Sequence, residues 1–197
     1  MGLNPKNMAY SYVRNISGVY SACAISGVMA AGLAAAAEIL QFRWTSTTKL
    51  ALLKHVHFHA GVDTTGFTAG AAIFNLLVAR TFTAAGTGGG TLTLTGNNAK
   101  HKTNMESTAI GEIRVATTAA LTAGTKTLDS NPHATIVTGV GTAAGQDIIN
   151  DHDLTHADFE HPIMLAADEG FVIQATVPAT GTWKFGVEIL WEEGERR

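Results

Sequence analysis

Trp183-Lys184-Phe185-Gly186-Val187-Glu188-Ile189-Leu190-Trp191-Glu192 decides the fold. Trp183, Phe185, Val187, Ile189 and Trp191 alternate with Lys184, Gly186, Glu188, Leu190 and Glu192, the period of two that sends successive side chains to opposite faces of a β-strand. Five large apolar residues on one face require an apolar layer opposite them. Burying each contributes roughly 1.5–3 kcal/mol, so this strand belongs at the centre of the core. Trp183, Phe185 and Trp191, with Trp44 from an earlier strand, are the expected core anchors.

The same alternation recurs upstream. Leu40, Phe42 and Trp44 alternate with Gln41 and Arg43, and Val56, Phe58, Ala60 and Val62 alternate with His55, His57 and His59. Phe74, Leu76 and Val78 form a mostly apolar run. Leu92 and Leu94, then Ile113 and Val115, read as one-sided strands. Phe171, Ile173, Ala175 and Val177 alternate up to Pro178, whose missing N–H would interrupt a ladder. With weaker segments near Leu121 to Leu128, Thr135 to Val140 and Pro162 to Leu165, eight to ten short strands are expected and almost no helix. The predicted fold is all-β, an antiparallel β-sandwich of jelly-roll type.

Composition agrees. The 197 residues include 31 Ala, 26 Thr and 21 Gly, charged residues make up 15% and hydrophobic residues 46%. β-Branched Thr suits a pleated surface and keeps exposed faces soluble without charge. A formal charge of -3, with no basic cluster beyond Arg196 and Arg197, denies the chain the electrostatic footprint of nucleic-acid binding. Cys23 stands alone, so no intramolecular disulfide is available.

The stretch from Asn15 to Ala37 carries no charge and is long enough to span a bilayer, but it is mostly Ala, Gly and Ser and inserts weakly. Lys6 and Arg14 ahead of it, with Ala35-Ala36-Ala37 behind, also have the outline of a signal peptide, though the run is poor in Leu. The preferred reading is an N-terminal arm, residues 1–37, of small residues that packs against the domain or another subunit. A sandwich domain follows at 38–193 and a charged tail at 194–197. No membrane association is expected.

Two clusters carry candidate chemistry. His55, His57 and His59 share one strand face about 6.5–7 Å apart, a spacing from which imidazoles converge on a metal. His57-Phe58-His59 with Asp63 resembles the His-x-His-x3-acid part of the first cupin motif, without its upstream Gly and without a second motif. The competing reading is a polar sheet face, or histidines facing symmetry mates. The second cluster, Asp151, His152, Asp153, His156, Asp158, Glu160 and His161, lies in a stretch from Gln146 to His161 read as a long exposed loop. Its carboxylates suit calcium but lack EF-hand spacing, which favours a solvated loop or a subunit contact. His101 and His133 read as surface histidines. Gly86 to Gly90 has no Lys-Ser or Lys-Thr after it, so it reads as a mobile hairpin tip and not a phosphate loop. No nucleophile elbow is present, Asn15-Ile16-Ser17 fits a glycosylation sequon only formally, and no enzyme activity is expected.

Met29-Ala30-Ala31-Gly32, Phe42-Arg43-Trp44-Thr45, Phe67-Thr68-Ala69-Gly70, Leu94-Thr95-Gly96-Asn97-Asn98 and Val177-Pro178-Ala179-Thr180-Gly181-Thr182-Trp183 together resemble a family of small β-rich structural proteins of tailed bacteriophages. The resemblance spans roughly Gly27 to Trp191. It implies a jelly-roll head decoration, or cement, protein located on the outer capsid surface of the virion, self-associated as a homotrimer and bound to the major capsid protein. It carries no catalytic residue and no cofactor. The many histidines depart from the family pattern and leave a metal at His55, His57 and His59 open. Alternatives are a collar- or tail-associated virion protein, a carbohydrate-binding jelly-roll module and a cupin-like metalloprotein.

Overall fold

The computed structural model describes residues 13–155 and 162–196. Among them the chain forms thirteen β segments and no helix: β1 (Val13–Ile25), β2 (Met29–Ala30), β3 (Ala37–Trp44), β4 (Lys49–Val62), β5 (Ala71–Ala84), β6 (Gly90–Thr91), β7 (Ile110–Val115), β8 (Thr125–Leu128), β9 (Ala134–Gly139), β10 (Asp147–Asp153), β11 (Ile163–Leu165), β12 (Glu169–Thr176) and β13 (Thr182–Arg196). One sheet runs β1-β13-β4-β10, with β11 also on β4 and β2 on β13. The other runs β6-β7-β3-β12-β5-β8, with β9 also on β5.

All pairings between these strands are antiparallel. Four of them nest: β5 with β9, β4 with β10, β3 with β12 and β1 with β13. That is the order produced when one long antiparallel hairpin is wrapped around itself into two facing sheets, which is the jelly roll. The sandwich expected from the alternation is therefore present, with the hairpin's tip at β5–β9 and its open end at β1–β13.

The inward faces meet in an aromatic core. Trp44, Trp183 and Trp191 are fully buried and Phe185 nearly so. Phe42 stacks on Phe171 at 5.0 Å and meets Trp191 edge-on at 5.6 Å, while Phe74 lies 4.7 Å from Phe58 and 5.8 Å from Trp183. Phe42, Phe171 and Phe74 come from one sheet and Trp191, Phe58 and Trp183 from the other, so the Phe42–Trp191, Phe74–Phe58 and Phe74–Trp183 contacts join the layers.

Five features differ from the sequence reading. The expected arm of residues 1–37 supplies β1, which pairs with β13 from Val13↔Arg196 to Ile25↔Gly186, so the sandwich starts well before Glu38. The reason is size. Tyr20 points inward onto Trp191, and Ala22 and Ala24 point inward opposite Ile189 and Val187, where small side chains fit beside large ones, so over most of the strand alternation is present without a hydrophobic contrast. Residues 1–12 lie outside the described residues. The expected tail is likewise sheet: Gly194 and Glu195 pair with Leu50 and Lys49, because β4 extends far enough to receive them.

The stretch from Gln146, read as a loop, carries β10 on the edge of β4. Gly86 to Gly90 is packed rather than a free tip. Gly86 N–H donates to Gln41 Oε1 at 2.8 Å, and a Cβ there would lie 1.8 Å from the Thr122 carbonyl oxygen. Leu92 and Leu94 are not in a strand, since β6 ends at Thr91.

Candidate functional site

The outer face of the β1-β13-β4-β10 sheet carries the histidines. On β4, Val56, Phe58, Ala60 and Val62 enter the core, which turns His55, His57 and His59 outward. β10 runs beside them, with Asp153 opposite His57 and register shifts between Asp147 and Ile149 and between Ile149 and His152. Within that irregular stretch Asp151 has φ +154°. A bulge re-aims side chains, and here both aspartates reach the histidines. His55 Nδ1 lies 3.0 Å from Asp153 Oδ2, and His57 Nδ1 lies 3.0 Å from Asp151 Oδ1. The two rings meet edge to face at 5.4 Å.

The two sequence clusters are thus one site. One ligand atom each from His55, His57 and Asp153 lie within 4.8 Å of one another. His59 does not join them. A Cβ on Gly186 of β13 would lie 2.1 Å from His59 Nε2, so this ring lies over the gap that glycine leaves, on the side of β4 away from β10. Asp63 does not join either, because it pairs with Lys184 at 3.0 Å, and the cupin-like grouping of His57, His59 and Asp63 is not assembled. His156, Asp158, Glu160 and His161 fall outside the described residues.

Asp153 is held ready as an anion. Burial pushes its carboxyl up, but hydrogen bonds from the Thr155 hydroxyl at 2.5 Å and the Thr155 amide at 2.9 Å, together with His55, outweigh that and leave it below the usual carboxylate range. A carboxylate flanked by two imidazoles is a donor set for a borderline cation of the zinc class, more than for calcium, which selects oxygen alone.

A different titratable group sits at the far end of β13. Glu193 is fully buried and accepts hydrogen bonds from the Thr108 hydroxyl, from Ala109 N–H at 3.1 Å and from Trp191 Nε1–H at 3.2 Å. Burial pushes its carboxyl up despite these donors. Neighbouring Tyr20 is pushed up to about 12, first by burial, then by the charges of Glu193 and Glu106. Glu193 pins the segment carrying Thr108 and Ala109 to the sandwich; it is a structural anchor.

Sequence reading named His55, His57 and, in its second cluster, Asp151 and Asp153, but it missed that they meet. A signal was present: His55-x-His57 and Asp151-x-Asp153 share the two-residue spacing of strand faces. Glu193 was missed as well, although it continues the inward register of Trp183 to Trp191.

The β1 edge is the other exposed feature. One side of β1 pairs with β13. On the other, Ser21 N–H donates to the Ala99 carbonyl and the Val19 carbonyl accepts from His101 N–H, and beyond Ser21 no described segment pairs with it. Ile25 is 73% exposed there and Val28 40%. They are two of three exposed large hydrophobic residues among those described, with Val137 the third.

No protein-family model and no curated protein matches the chain. Among solved structures it is similar to the N-terminal CBM22-1-GH10 modules of Clostridium thermocellum endo-1,4-beta-D-xylanase 10B complexed with xylohexaose, at 9% identity and a TM-score of 0.24. That alignment covers 94% of this chain and 27% of the xylanase chain.

Proposed function

We propose that this chain is a non-enzymatic structural protein of a bacteriophage virion, a decoration or cement protein that binds the outer capsid surface as a homotrimer. The observation that carries this reading is the open edge of β1. An unpaired strand edge tipped with apolar side chains is a template for association, and proteins that stay monomeric usually block such edges with charge, proline or a covering loop. Here the covering segment stops at Ser21, and Cys23 and Ile25 follow with no charged residue next to them on β1, although Glu188 of β13 stands opposite Cys23. The motif resemblance to phage head proteins supplies the biological setting. The pinned loops and continuous aromatic core suit a particle that must persist outside a cell. A trimer engaging three capsid sites gains effective concentration without stronger individual contacts.

Light scattering on the full chain tests the assembly. The expected mass is three times 20.6 kDa, falling to that of a monomer in Ile25→Lys. A monomeric wild type, or a trimer indifferent to Ile25→Lys, overturns the proposed contact. Co-sedimentation with phage heads, saturating at a fixed ratio to the major capsid protein, tests the location. Absence of binding to heads would remove the decoration role even if the trimer stands.

A further inference from the structure

We infer that His55, His57 and Asp153 bind a zinc-class divalent cation that clips the edge strand β10 to β4. Three observations combine. Their ligand atoms already lie within 4.8 Å of one another, whereas zinc held at about 2.0–2.2 Å by each ligand places them about 3.4 Å apart in a tetrahedron, a contraction within reach of small side-chain rotations. The donors come from two strands, far apart in sequence. The second coordination shell is also in place: Asp151 holds His57 through Nδ1 at 3.0 Å, and Thr155 holds Asp153 through both its hydroxyl and its amide. Such outer partners fix the orientation and tautomer of ligating groups.

The ion has mechanical work to do at this place. β10 is an edge strand whose ladder with β4 is broken by two register shifts, so few regular hydrogen bonds hold it. Coordination by two β4 residues and one β10 residue ties the strands just past the second register shift, where regular pairing resumes at His152 and Asp153. Three protein ligands leave a fourth position, and the partial exposure of the His57 and Asp153 side chains, 34% and 27%, lets water fill it. His59, turned toward β13, takes no part, so the predicted set differs by one residue from the three histidines that the strand spacing offers.

The test uses the full chain, stripped with a chelator and titrated with zinc chloride by calorimetry, and with cobalt chloride by visible spectroscopy. Expected are one equivalent of zinc, the intense visible bands of tetrahedral cobalt, their bleaching by zinc, and a melting temperature that rises with zinc concentration. His57→Gln and Asp153→Asn should each weaken zinc binding by more than about 100-fold, beyond what loss of an outer-shell partner costs. His59→Gln should leave it unchanged. Far-UV circular dichroism of each metal-free variant separates lost folding from lost ligation, and the wild-type cobalt spectrum stands even if a variant fails to fold. Substoichiometric zinc, a cobalt spectrum of the hydrated ion, or equal loss in His59→Gln overturns the site.

Discussion

Glu193 near the end of β13 and Asp153 at the end of β10 belong to the same sheet and are held by the same kinds of donor. Each accepts from a threonine hydroxyl, from a main-chain N–H and from a ring nitrogen: Thr108, Ala109 and Trp191 for Glu193, and Thr155, Thr155 again and His55 for Asp153. Yet the Glu193 carboxyl is shifted up and the Asp153 carboxyl down. Burial separates them. Glu193 is sealed among core side chains, while the Asp153 side chain keeps 27% of its surface in water. Removing a carboxylate fully from water costs more than three hydrogen bonds return, whereas partial removal costs less. One carboxylate is therefore built as an anchor and the other as an anion available to a ligand.

The sharpest way to break this comparison is Glu193→Ala. It leaves Trp191 Nε1–H and Ala109 N–H buried without this acceptor, and urea unfolding should show a loss of about 3 kcal/mol. A loss below about 1 kcal/mol would mean that the end of the sandwich is not held as described.

Glu193→Gln probes the charge alone. Because the folded value is raised, the stability tied to the protonated acid is fully present below the unfolded value of 4.5 and is lost as pH rises through the folded one. The wild-type melting temperature should carry that decline above pH 4.5, and Glu193→Gln should flatten it. Parallel wild-type and variant curves would count against a raised Glu193.

Asp153→Asn, measured without metal, should cost less, about 0.5–1 kcal/mol. Asparagine still accepts from Thr155, and only the charge in the half-exposed contact with His55 is lost. A penalty matching that of Glu193→Ala would erase the distinction between the two sites. The smallest effect is expected for Gly186→Ala, within about 0.5 kcal/mol of wild type, because the new methyl meets an exposed imidazole that can swing aside. Nuclear magnetic resonance should show His59 shifting while His55 and His57 stay in place.

How much of this was legible in the sequence depends on contrast. β13 was readable because large apolar and polar residues alternate over its length, and β12 because Pro178 stops it. β1 obeys the same period but hides it, with Ala22 and Ala24 turned inward and Ile25 outward, the reverse of the usual hydrophobic signal. β10 hides its period in a different way: its register shifts bury the adjacent residues Ile148 and Ile149 together. The histidine half of the candidate site was visible through local spacing. Its carboxylate half was not, since Asp153 stands 98 residues from His55 and only the pairing of β10 with β4 brings them together. Nothing local marked His59 as the odd one out, because its position follows from a glycine on another strand.

The nested order of the pairings also sets a timetable for the chain. Among the four nested pairs β5 and β9 face each other across the shortest separation, and each later pair, β4 with β10, β3 with β12 and β1 with β13, encloses the one before. Zipping from tip to base lets every closure shorten the loop that the next must close, which lowers the entropy cost of contacts that would otherwise be remote. During synthesis β1 emerges before the other described strands yet finds its partner last, since β13 is the last of them in sequence. A ribosome that stops before Thr182 would release a molecule whose first sheet is split down the middle, with β1 and β4 each facing a gap of one strand.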